Sequence, residues 1–418
     1  MNETHRKFDL VLWGATGFTG QLVAEYLVEQ DQLEQLNWAI AGRSEDRLRQ
    51  LSERLCGTDQ SGANPALLTG NARDPARLRS IARRSKVICS TVGPYAKYGT
   101  PLVDACVRAD TDYCDLTGEA HWMRTMIDRF HEEAKEQGTR IVHACGFDAV
   151  PSDLGTLMVQ EKALETYGVP CEKVRVRVMA EGGSVSGGTA ASMMEMFEAA
   201  GRDRQVRELL DDPYGLVPGR SEGGFRGADD VSVPDPDRGQ AWTVPFPMEM
   251  INSKVVHRSN YLLGDPWTRA FSYGESVPVG EGVSGAVASA LGTAALKLLE
   301  AGLSLAPIRA LLKRYVLPEP GQGPDRTTIE EGSFCMSLMG TGNRTEGGPP
   351  FHVEGTVLSN RDPGYGSTAV MLGEAALCLA REDVVSPVEG GVLTPATGIG
   401  TPLIDRLREA GMDWSVST

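Results

Sequence analysis

A turn containing three glycines lies between the first apolar segment of the chain and the first segment with helical periodicity. Phe8–Trp13 is apolar, the turn reads Gly14-Ala-Thr-Gly17-Phe-Thr-Gly20, and apolar residues recur at helical spacing from Phe18 onward. A strand, a glycine turn and a helix in this order place the diphosphate of a dinucleotide at the helix N-terminus. The turn therefore predicts a dinucleotide-binding α/β fold, with a purely structural turn as the alternative.

Strand and helix patterns continue to alternate through the first 150 residues. Short apolar runs predict further strands at 38–41, 87–91, 113–116 and 140–144. Helical patterns separate them, and Asp74-Pro75 has the form of an N-cap followed by a proline at the first helical position. Such alternation with short loops indicates a doubly wound parallel sheet. We therefore predict an α/β protein whose residues 1–150 form a Rossmann domain.

The pattern changes after residue 150, where long polar connections rich in glycine and proline appear. Strands are predicted at Val174–Ala180, Val255–Leu263, Phe334–Met339 and Phe351–Leu358. Mixed strands and helices predict a second, α+β domain over residues 151–390 that covers the substrate. A C-terminal helical segment, 391–418, is expected to pack back on the Rossmann domain. Residues 211–247 form a connection too long for a simple turn, so we expect a functional lid or a partly mobile segment.

The end of the second predicted strand indicates which dinucleotide is bound. A carboxylate there would accept a hydrogen bond from the ribose 2′-hydroxyl of NAD, but the chain reads Ala41-Gly42-Arg43-Ser44. Arg43 suits the 2′-phosphate of NADP, and Arg47 lies one helical turn further on as a second cation. A solvated surface arginine is the alternative. The sequence thus favours NADP over NAD.

The loop after the fourth predicted strand, Thr91-Val-Gly-Pro-Tyr95, is expected to run along the ribose and nicotinamide. This follows because ligands of doubly wound sheets lie outside the carboxyl ends of the strands. The predicted cofactor-binding residues come from this loop, the glycine turn and the region after the second strand, with Asn71 added. They are Gly14, Ala15, Thr16, Gly17, Phe18, Thr19, Gly20, Arg43, Ser44, Arg47, Asn71, Thr91, Val92, Gly93 and Pro94.

Three polar side chains near the same sheet edge are the candidates for catalysis: Tyr95, Tyr98 and Asp148. A tyrosine beside the nicotinamide could polarise a carbonyl or deliver a proton, although ordinary packing would also explain both. Asp148 could orient the nicotinamide amide or a proton donor, or it could cap the following helix together with Ser152 and Asp153. We predict no metal site, because no metal-ligand spacing stands out.

Charge and cysteine usage exclude several classes of protein. There are 41 Lys+Arg and 56 Asp+Glu, a net charge of −15, which disfavours nucleic-acid binding because phosphate contacts need surplus cations. The eight cysteines form no C-x-x-C pair, so we expect reduced thiols. The first residues lack the apolar core of a signal peptide. Together these features predict a cytoplasmic protein with no nucleic-acid partner.

Residues 283–314 combine a weakly polar segment with basic residues at its end. The charges of Lys297 and Glu300 and the many small residues argue against a membrane-spanning helix. One or two buried helices would explain the segment. Alternatively, it docks on a membrane or lines an apolar substrate channel, with Arg309 and the two basic residues 313–314 near anionic headgroups. Peripheral contact with the inner membrane surface is therefore a hypothesis, and so is a homodimer.

Several segments, taken in chain order, resemble the saccharopine dehydrogenase-like oxidoreductases, and more narrowly their trans-acting enoyl reductase subfamily. They are Gly14–Gly20, Ala41–Ser44, Thr91–Tyr95, Tyr98–Val103, Tyr113–Glu119, Cys145–Asp148, Pro151–Asp153, Leu317–Pro324 and Gly390–Pro395. The resemblance implies an NADP-binding Rossmann domain and an α+β domain over the nicotinamide. It also implies reduction of a double bond in a lipid intermediate built by polyketide synthases. The G-x-x-G-x-x-G turn differs from the G-x-G-x-x-G of saccharopine-forming enzymes, which puts amino-acid chemistry in doubt.

Three functional hypotheses follow. The leading one is an NADP-dependent enoyl reductase acting on a lipid- or polyketide-linked substrate. The second is a saccharopine-type amino-acid or imine dehydrogenase, which requires paired arginines, and Arg175, Arg177 and Arg258 are available. The third is a non-catalytic, NADP-binding and lipid-associated protein, which would bind NADPH without turnover.

Overall fold

The computed structural model describes residues 6–30, 36–56, 64–181, 187–220, 241–303, 305, 307–309, 311, 323, 325–344, 348–381 and 384–418. Its first sheet has seven parallel strands in the spatial order β12-β6-β5-β4-β1-β2-β3. They are β1 (Phe8–Trp13), β2 (Trp38–Gly42), β3 (Ala66–Thr69), β4 (Ser85–Ser90), β5 (Asp112–Asp115), β6 (Arg140–Val142) and β12 (Gly391–Leu393). The order reverses between β1 and β4, which is where doubly wound sheets bind ligands. The predicted doubly wound parallel sheet is confirmed.

Helices of this domain begin and end at residues that favour helix termini, such as N-capping side chains, proline in the first turn and glycine after the last turn. Asp74 caps its helix by accepting a hydrogen bond from the Arg77 N–H, and Pro75 occupies the first helical position. Gly138 ends the longest of them in the left-handed conformation, at φ +77°. The helices are α1 (Phe18–Val28), α2 (Glu45–Cys56), α3 (Pro75–Ala82), α4 (Tyr95–Tyr98), α5 (Thr100–Arg108) and α6 (Ala120–Gln137).

The second sheet has six strands in the order β13-β11-β10-β7-β9-β8, of which β7 and β9 run parallel. They are β7 (Lys173–Glu181), β8 (Trp242–Pro245), β9 (Ser272–Gly280), β10 (Ser333–Asn343), β11 (Pro350–Ser359) and β13 (Asp413–Ser417). Helix α7 (Val150–Tyr167) packs on β10 and β11, and α10 (Glu249–Leu262) packs on α7 and β9. Helices α8 (Gly187–Arg202), α9 (Arg204–Asp211) and α11 (Gly282–Leu303) complete this region. The mixed sheet with its helices is the α+β domain expected from the sequence.

The last part of the chain joins both sheets. A short helix, α12 (Arg326–Glu331), and a π-helical turn (Pro363–Ser367) lead to α13 (Thr368–Ala380), which is buried along its length against the first sheet. Strand β12 then extends that sheet, while β13 pairs with β11 of the second sheet. Between them lie α14 (Pro395–Gly398) and α15 (Thr401–Glu409). Residues 391–418 therefore contact both domains.

One predicted strand, Val255–Leu263, is wrong, because its residues up to Leu262 belong to helix α10 and Leu263 is the C-cap of that helix. Every residue from Ile251 to Asn260 is buried, so the helix has no polar face to give its sequence a helical period. Its two adjacent valines then read as a short buried strand. Of the predicted lid, 221–240 lie outside the described residues, and the remainder includes the end of α9 and strand β8.

Candidate cofactor and active site

The glycine turn forms a cradle at the carboxyl end of β1. Gly14 has φ +95°, and a Cβ there would lie 2.6 Å from Val92 Cγ2. A Cβ on Gly20 would lie 2.2 Å from the Gly14 carbonyl oxygen, so α1 packs directly on the turn. Gly17 is the N-cap of α1 and has no side chain to occupy the helix N-terminus. These residues fit a dinucleotide diphosphate, because backbone amides face the place where its oxygens would lie.

Basic side chains gather after β2 and β3, beside this cradle. Arg43 is exposed, and Arg47 donates a hydrogen bond to the Thr16 carbonyl oxygen at 3.1 Å. The Gly70 N–H donates to the Gly42 carbonyl at 2.9 Å, which brings the ends of the two strands together. Asn71 and Arg73 follow β3 directly, and both are exposed. Sequence analysis missed Arg73, although its position after a neighbouring strand end was a usable signal.

The loop after β4 contacts both the cradle and the second domain. The Thr91 hydroxyl lies 3.2 Å from the Gly14 carbonyl oxygen, and the Thr91 N–H donates to Trp13 O at 2.9 Å. On its other side, a Cβ on Gly93 would lie 3.3 Å from Ser192 Oγ of helix α8. The loop thus lies at the carboxyl end of β4, between the glycine cradle and helix α8.

Glu119 fixes the far end of this loop and was missed by sequence analysis. Its carboxylate accepts hydrogen bonds from the backbone N–H groups of Tyr95 at 2.7 Å and Ala96 at 2.9 Å. It also accepts one from Ser192 Oγ at 2.7 Å. Burial raises the pKa of Glu119, while these three bonds oppose the shift. The signal in the sequence was an acid shortly after β5, on the ligand-binding edge of the sheet.

The structure separates the two candidate tyrosines. Tyr95 is buried, its ring stacks on Trp122 with centroids 5.4 Å apart, and its hydroxyl donates to the Ser90 carbonyl at 3.0 Å. Burial also raises the Tyr95 pKa well above its usual value. Tyr98 lies nearer the surface, with its ring centre 5.7 Å from the guanidinium carbon of Arg73. The hydroxyl of Tyr95 is therefore already paired inside the Rossmann core.

Asp148 lies at the ligand-binding edge, against the loop that carries Glu119. A Cβ on Gly118 would lie 3.4 Å from Asp148 Oδ2. Ala149 is the N-cap of α7, so Asp148 does not cap that helix, and Asp153 instead accepts hydrogen bonds from Ser259 Oγ and the Ala396 N–H. Burial and then the charge of Glu275 raise the pKa of Asp148 to about 6. Asp148 is therefore an acid that keeps its proton up to about pH 6.

Two acids of the second domain, Glu275 and Glu249, lie near each other, and Glu275 also lies near Asp148. The buried Glu275 carboxylate accepts hydrogen bonds from Ser152 Oγ, Tyr273 Oη and Asn252 Nδ2. Burial and the charge of Glu275 together raise the pKa of Glu249 to about 8, although Arg175 and Lys254 oppose the shift. Burial raises the pKa of Glu275 itself, while these three hydrogen bonds oppose that shift, and its ionised form raises the pKa of both neighbours.

Two of the three arginines named for a dicarboxylic substrate, Arg258 and Arg175, already have hydrogen-bond partners within the protein. Arg258 is buried, and its guanidinium donates to the carbonyls of Leu216 at 2.8 Å and Val392 at 2.6 Å. Arg175 donates to Ser272 Oγ at 3.0 Å. Within the described part of the chain, no group of three His, Cys, Asp or Glu side chains is placed to hold a metal ion.

The two domains and their shared edge define a class, the two-domain NADP-dependent oxidoreductases. The family model of the saccharopine dehydrogenase NADP binding domain matches residues 10–142. A Mycobacterium tuberculosis protein is 40% identical over 99% of this chain and 98% of its own. The trans-acting enoyl reductases of Mycobacterium bovis and Mycobacterium ulcerans are 36% and 37% identical, again over 99% of this chain and 98% of theirs. The chain belongs to the trans-acting enoyl reductase family of saccharopine dehydrogenase-like oxidoreductases.

A solved structure supports the fold. Saccharopine dehydrogenase (L-Glu forming) of Saccharomyces cerevisiae aligns with a TM-score of 0.54 at 12% identity, covering 98% of this chain and 99% of that one. The resemblance stated from the sequence is thus confirmed, as are the enzyme class and NADP as the cofactor.

Proposed function

We propose that the protein reduces the double bond of an α,β-unsaturated thioester carried on a lipid- or polyketide-linked substrate, with NADPH as the reductant. The name of its relatives, trans-acting enoyl reductase, supports this reaction class. The observation that carries the proposal is the position of Asp148, an acid with a raised pKa between the Glu119 loop and Glu275. Conjugate reduction needs such a donor, because the α-carbon must gain a proton.

The residues of the site have separate proposed roles in binding the cofactor and in supplying the proton. The glycine turn binds the diphosphate, residues 43, 44, 47 and 71 bind the adenosine ribose with its 2′-phosphate, and residues 91–94 contact the nicotinamide ribose. When bound, NADPH supplies a hydride to the β-carbon of the substrate. Asp148 gives its proton to the α-carbon and is left as a carboxylate, which regains a proton from water. Tyr98 lies at the rim of the site, and the buried Tyr95 packs beneath it in the Rossmann core.

Turnover with defined thioesters tests this function. We expect the purified protein to oxidise NADPH, followed at 340 nm, when given a medium-chain 2-enoyl thioester of N-acetylcysteamine. Mass spectrometry should find the saturated thioester as product. The amino-acid alternative predicts instead NADPH oxidation with a 2-oxo acid and an amine. That result, without thioester reduction, would contradict the proposal, and NADPH binding without any turnover would favour the non-catalytic alternative.

Helix α11 supports a second proposal, peripheral contact with the inner membrane surface. Its small residues face the protein: Ser289 Oγ donates to Thr243 O, and a Cβ on Gly292 would lie 2.8 Å from Val244. Its large apolar residues face outward, and the exposed surface continues beyond the helix. The exposed residues are Val283, Val287, Leu291, Leu298, Leu299, Leu305, Ile308 and Leu311. An apolar face of this kind does not fit a buried core helix, which was the simpler expectation.

The charged residues near this apolar face favour its contact with a lipid surface. Within the described part of the chain, α11 is the one helix that is long and apolar enough to cross a membrane, with a mean hydropathy of 1.4. Its inner face, however, packs on β8. Lys297 is the one charged residue in the sequence between 282 and 299, in a chain with net charge −15. Arg309 follows, and residues 313–314 lie outside the described residues. Between 282 and 311 the sequence has two basic residues, Lys297 and Arg309, and one acid, Glu300, so the segment suits an anionic bilayer, and a cytoplasmic enzyme held there would meet a lipid-linked substrate.

Sedimentation with vesicles tests the membrane proposal. We expect binding to vesicles of phosphatidylglycerol and phosphatidylcholine, and about tenfold weaker binding after Leu291→Asp combined with Leu298→Asp, because two charges enter the apolar face. Val385→Asp is the control, since Val385 is 82% exposed but separate from this face. If the face instead joins two copies, light scattering will show a homodimer that the double variant dissociates, without vesicle binding.

A further inference from the structure

Helix α4 depends on a residue from another loop to complete its N-terminus. Its N-cap is Pro94, which has no side-chain oxygen to accept a hydrogen bond from the first turn. Glu119 supplies both acceptors, because its two carboxylate oxygens pair with the N–H groups of Tyr95 and Ala96. A carboxylate at a helix N-terminus is favourable, and here it is also buried. Glu119 therefore fixes the point where the Thr91–Pro94 loop ends.

The same carboxylate reaches the second domain. Glu119 Oε1 accepts from both the Tyr95 N–H and Ser192 Oγ, so one oxygen joins α4 to α8. Lys97 of α4 forms an ion pair with Glu195, one turn further along α8. Gly93 allows the approach, since a Cβ there would lie 3.3 Å from Ser192 Oγ. Through Ser192 and Glu195, helix α8 thus contacts Gly93 of the loop, the Glu119 carboxylate and Lys97 of α4.

We propose that Glu119 is a positioning residue that couples α8 of the second domain to the Thr91–Pro94 loop. Each of the two is then correctly placed for hydride transfer only when the other is. This rests on the proposed function in one respect, the placing of the nicotinamide beside that loop. Two separate roles follow from the three hydrogen bonds. The bonds to Tyr95 and Ala96 shape the loop, and the bond to Ser192 fixes α8 relative to it.

Two variants separate these roles. Glu119→Gln leaves one acceptor oxygen for three donors, so at least one buried N–H or O–H loses its partner. Ser192→Ala keeps both loop bonds and the Lys97–Glu195 ion pair, and removes only the hydrogen bond between Glu119 and α8. Thr125→Ala is the matched control, because that hydroxyl bonds to the His121 carbonyl on the exposed side of α6.

Hydrogen exchange and kinetics give distinct readouts. In Glu119→Gln we expect amide exchange in the 91–98 peptide to accelerate about tenfold and NADPH affinity to weaken about tenfold, because the loop loses its anchor. In Ser192→Ala we expect NADPH affinity within about twofold of the native protein, with kcat for the enoyl thioester about tenfold lower. Thr125→Ala should change neither.

Several results would overturn the proposal. One is unchanged exchange at 91–98 in Glu119→Gln, and another is kinetics of Ser192→Ala that match Thr125→Ala. If Glu119→Gln does not fold, Ser192→Ala still decides the coupling by its split between kcat and NADPH affinity. If the native protein does not reduce the thioester, the proposed function fails. The positioning role is then decided by exchange and NADPH affinity alone.

Discussion

Replacing Arg43 with glutamate should lower the affinity for NADPH relative to NADH by about 100-fold. Arg43 is exposed at the end of β2, next to the glycine cradle, where the 2′-phosphate of NADP is expected. A charge-assisted hydrogen bond contributes about 1.5–3 kcal/mol, and each 1.4 kcal/mol changes an equilibrium constant tenfold. The substitution also adds a carboxylate that repels the phosphate. For NADH the same carboxylate accepts from the 2′-hydroxyl, so NADH binding should improve.

Calorimetry with both nucleotides checks this, using the ratio of the two dissociation constants as the readout. Arg49→Glu is the matched control, because Arg49 lies on the exposed side of α2 and pairs with Glu45. Arg47→Ala should change the ratio less than Arg43→Glu, since Arg47 already donates to the Thr16 carbonyl. An unchanged ratio in Arg43→Glu would remove Arg43 from the 2′-phosphate site.

The parts of the fold that depend on local sequence were predictable. Strand β1, the glycine turn and α1 follow one another within 21 residues, Phe8–Val28, so each signal predicts its neighbour. The cap at Asp74 and the left-handed Gly138 are likewise determined by the residues themselves. The family, the fold class and NADP, which rest on such segments, are confirmed. The residue assignments within the site stay predictions.

Features that depend on contacts between distant segments were not predictable. Glu119 meets Ser192 across 73 positions of sequence, and no local pattern indicates that contact. Glu275 influences Asp148 only because β9 comes to lie near the Rossmann edge. Helix α10 was mistaken for a strand because it is buried on all sides. Near the C-terminus, β12 and β13 join different sheets, which their short apolar runs could not reveal.

Asp148→Asn should lower kcat for the enoyl thioester by about 100-fold or more, the usual contribution of a positioned general acid. Burial and Glu275 raise the pKa of Asp148 to about 6, so in the native protein the proton is lost as pH rises through 6. If that proton limits the rate, kcat falls above pH 6, whereas the weak activity of the variant is flat there. Glu275→Gln removes the second of these two causes while burial remains, so the fall should begin at a lower pH than in the native protein.

The same substitution, Asp148→Asn, is expected to increase the stability of the protein although it lowers the activity. Because the pKa of the Asp148 carboxyl is raised in the folded state, folding favours its protonated form. In the unfolded chain the carboxyl ionises near pH 4, so above that pH it opposes folding. The native protein therefore loses stability relative to Asp148→Asn as pH rises from about 4 to 6, and the difference is constant above 6. We expect Asp148→Asn to be about 1–2 kcal/mol more stable at pH 8, less than the full linkage value because the side chain is partly exposed.

Asp104→Asn, on the surface of α5, is the control and should change neither the activity nor the stability. A catalytic acid must lose activity while gaining stability, so a variant that loses both would place Asp148 in the framework of the fold rather than in the reaction.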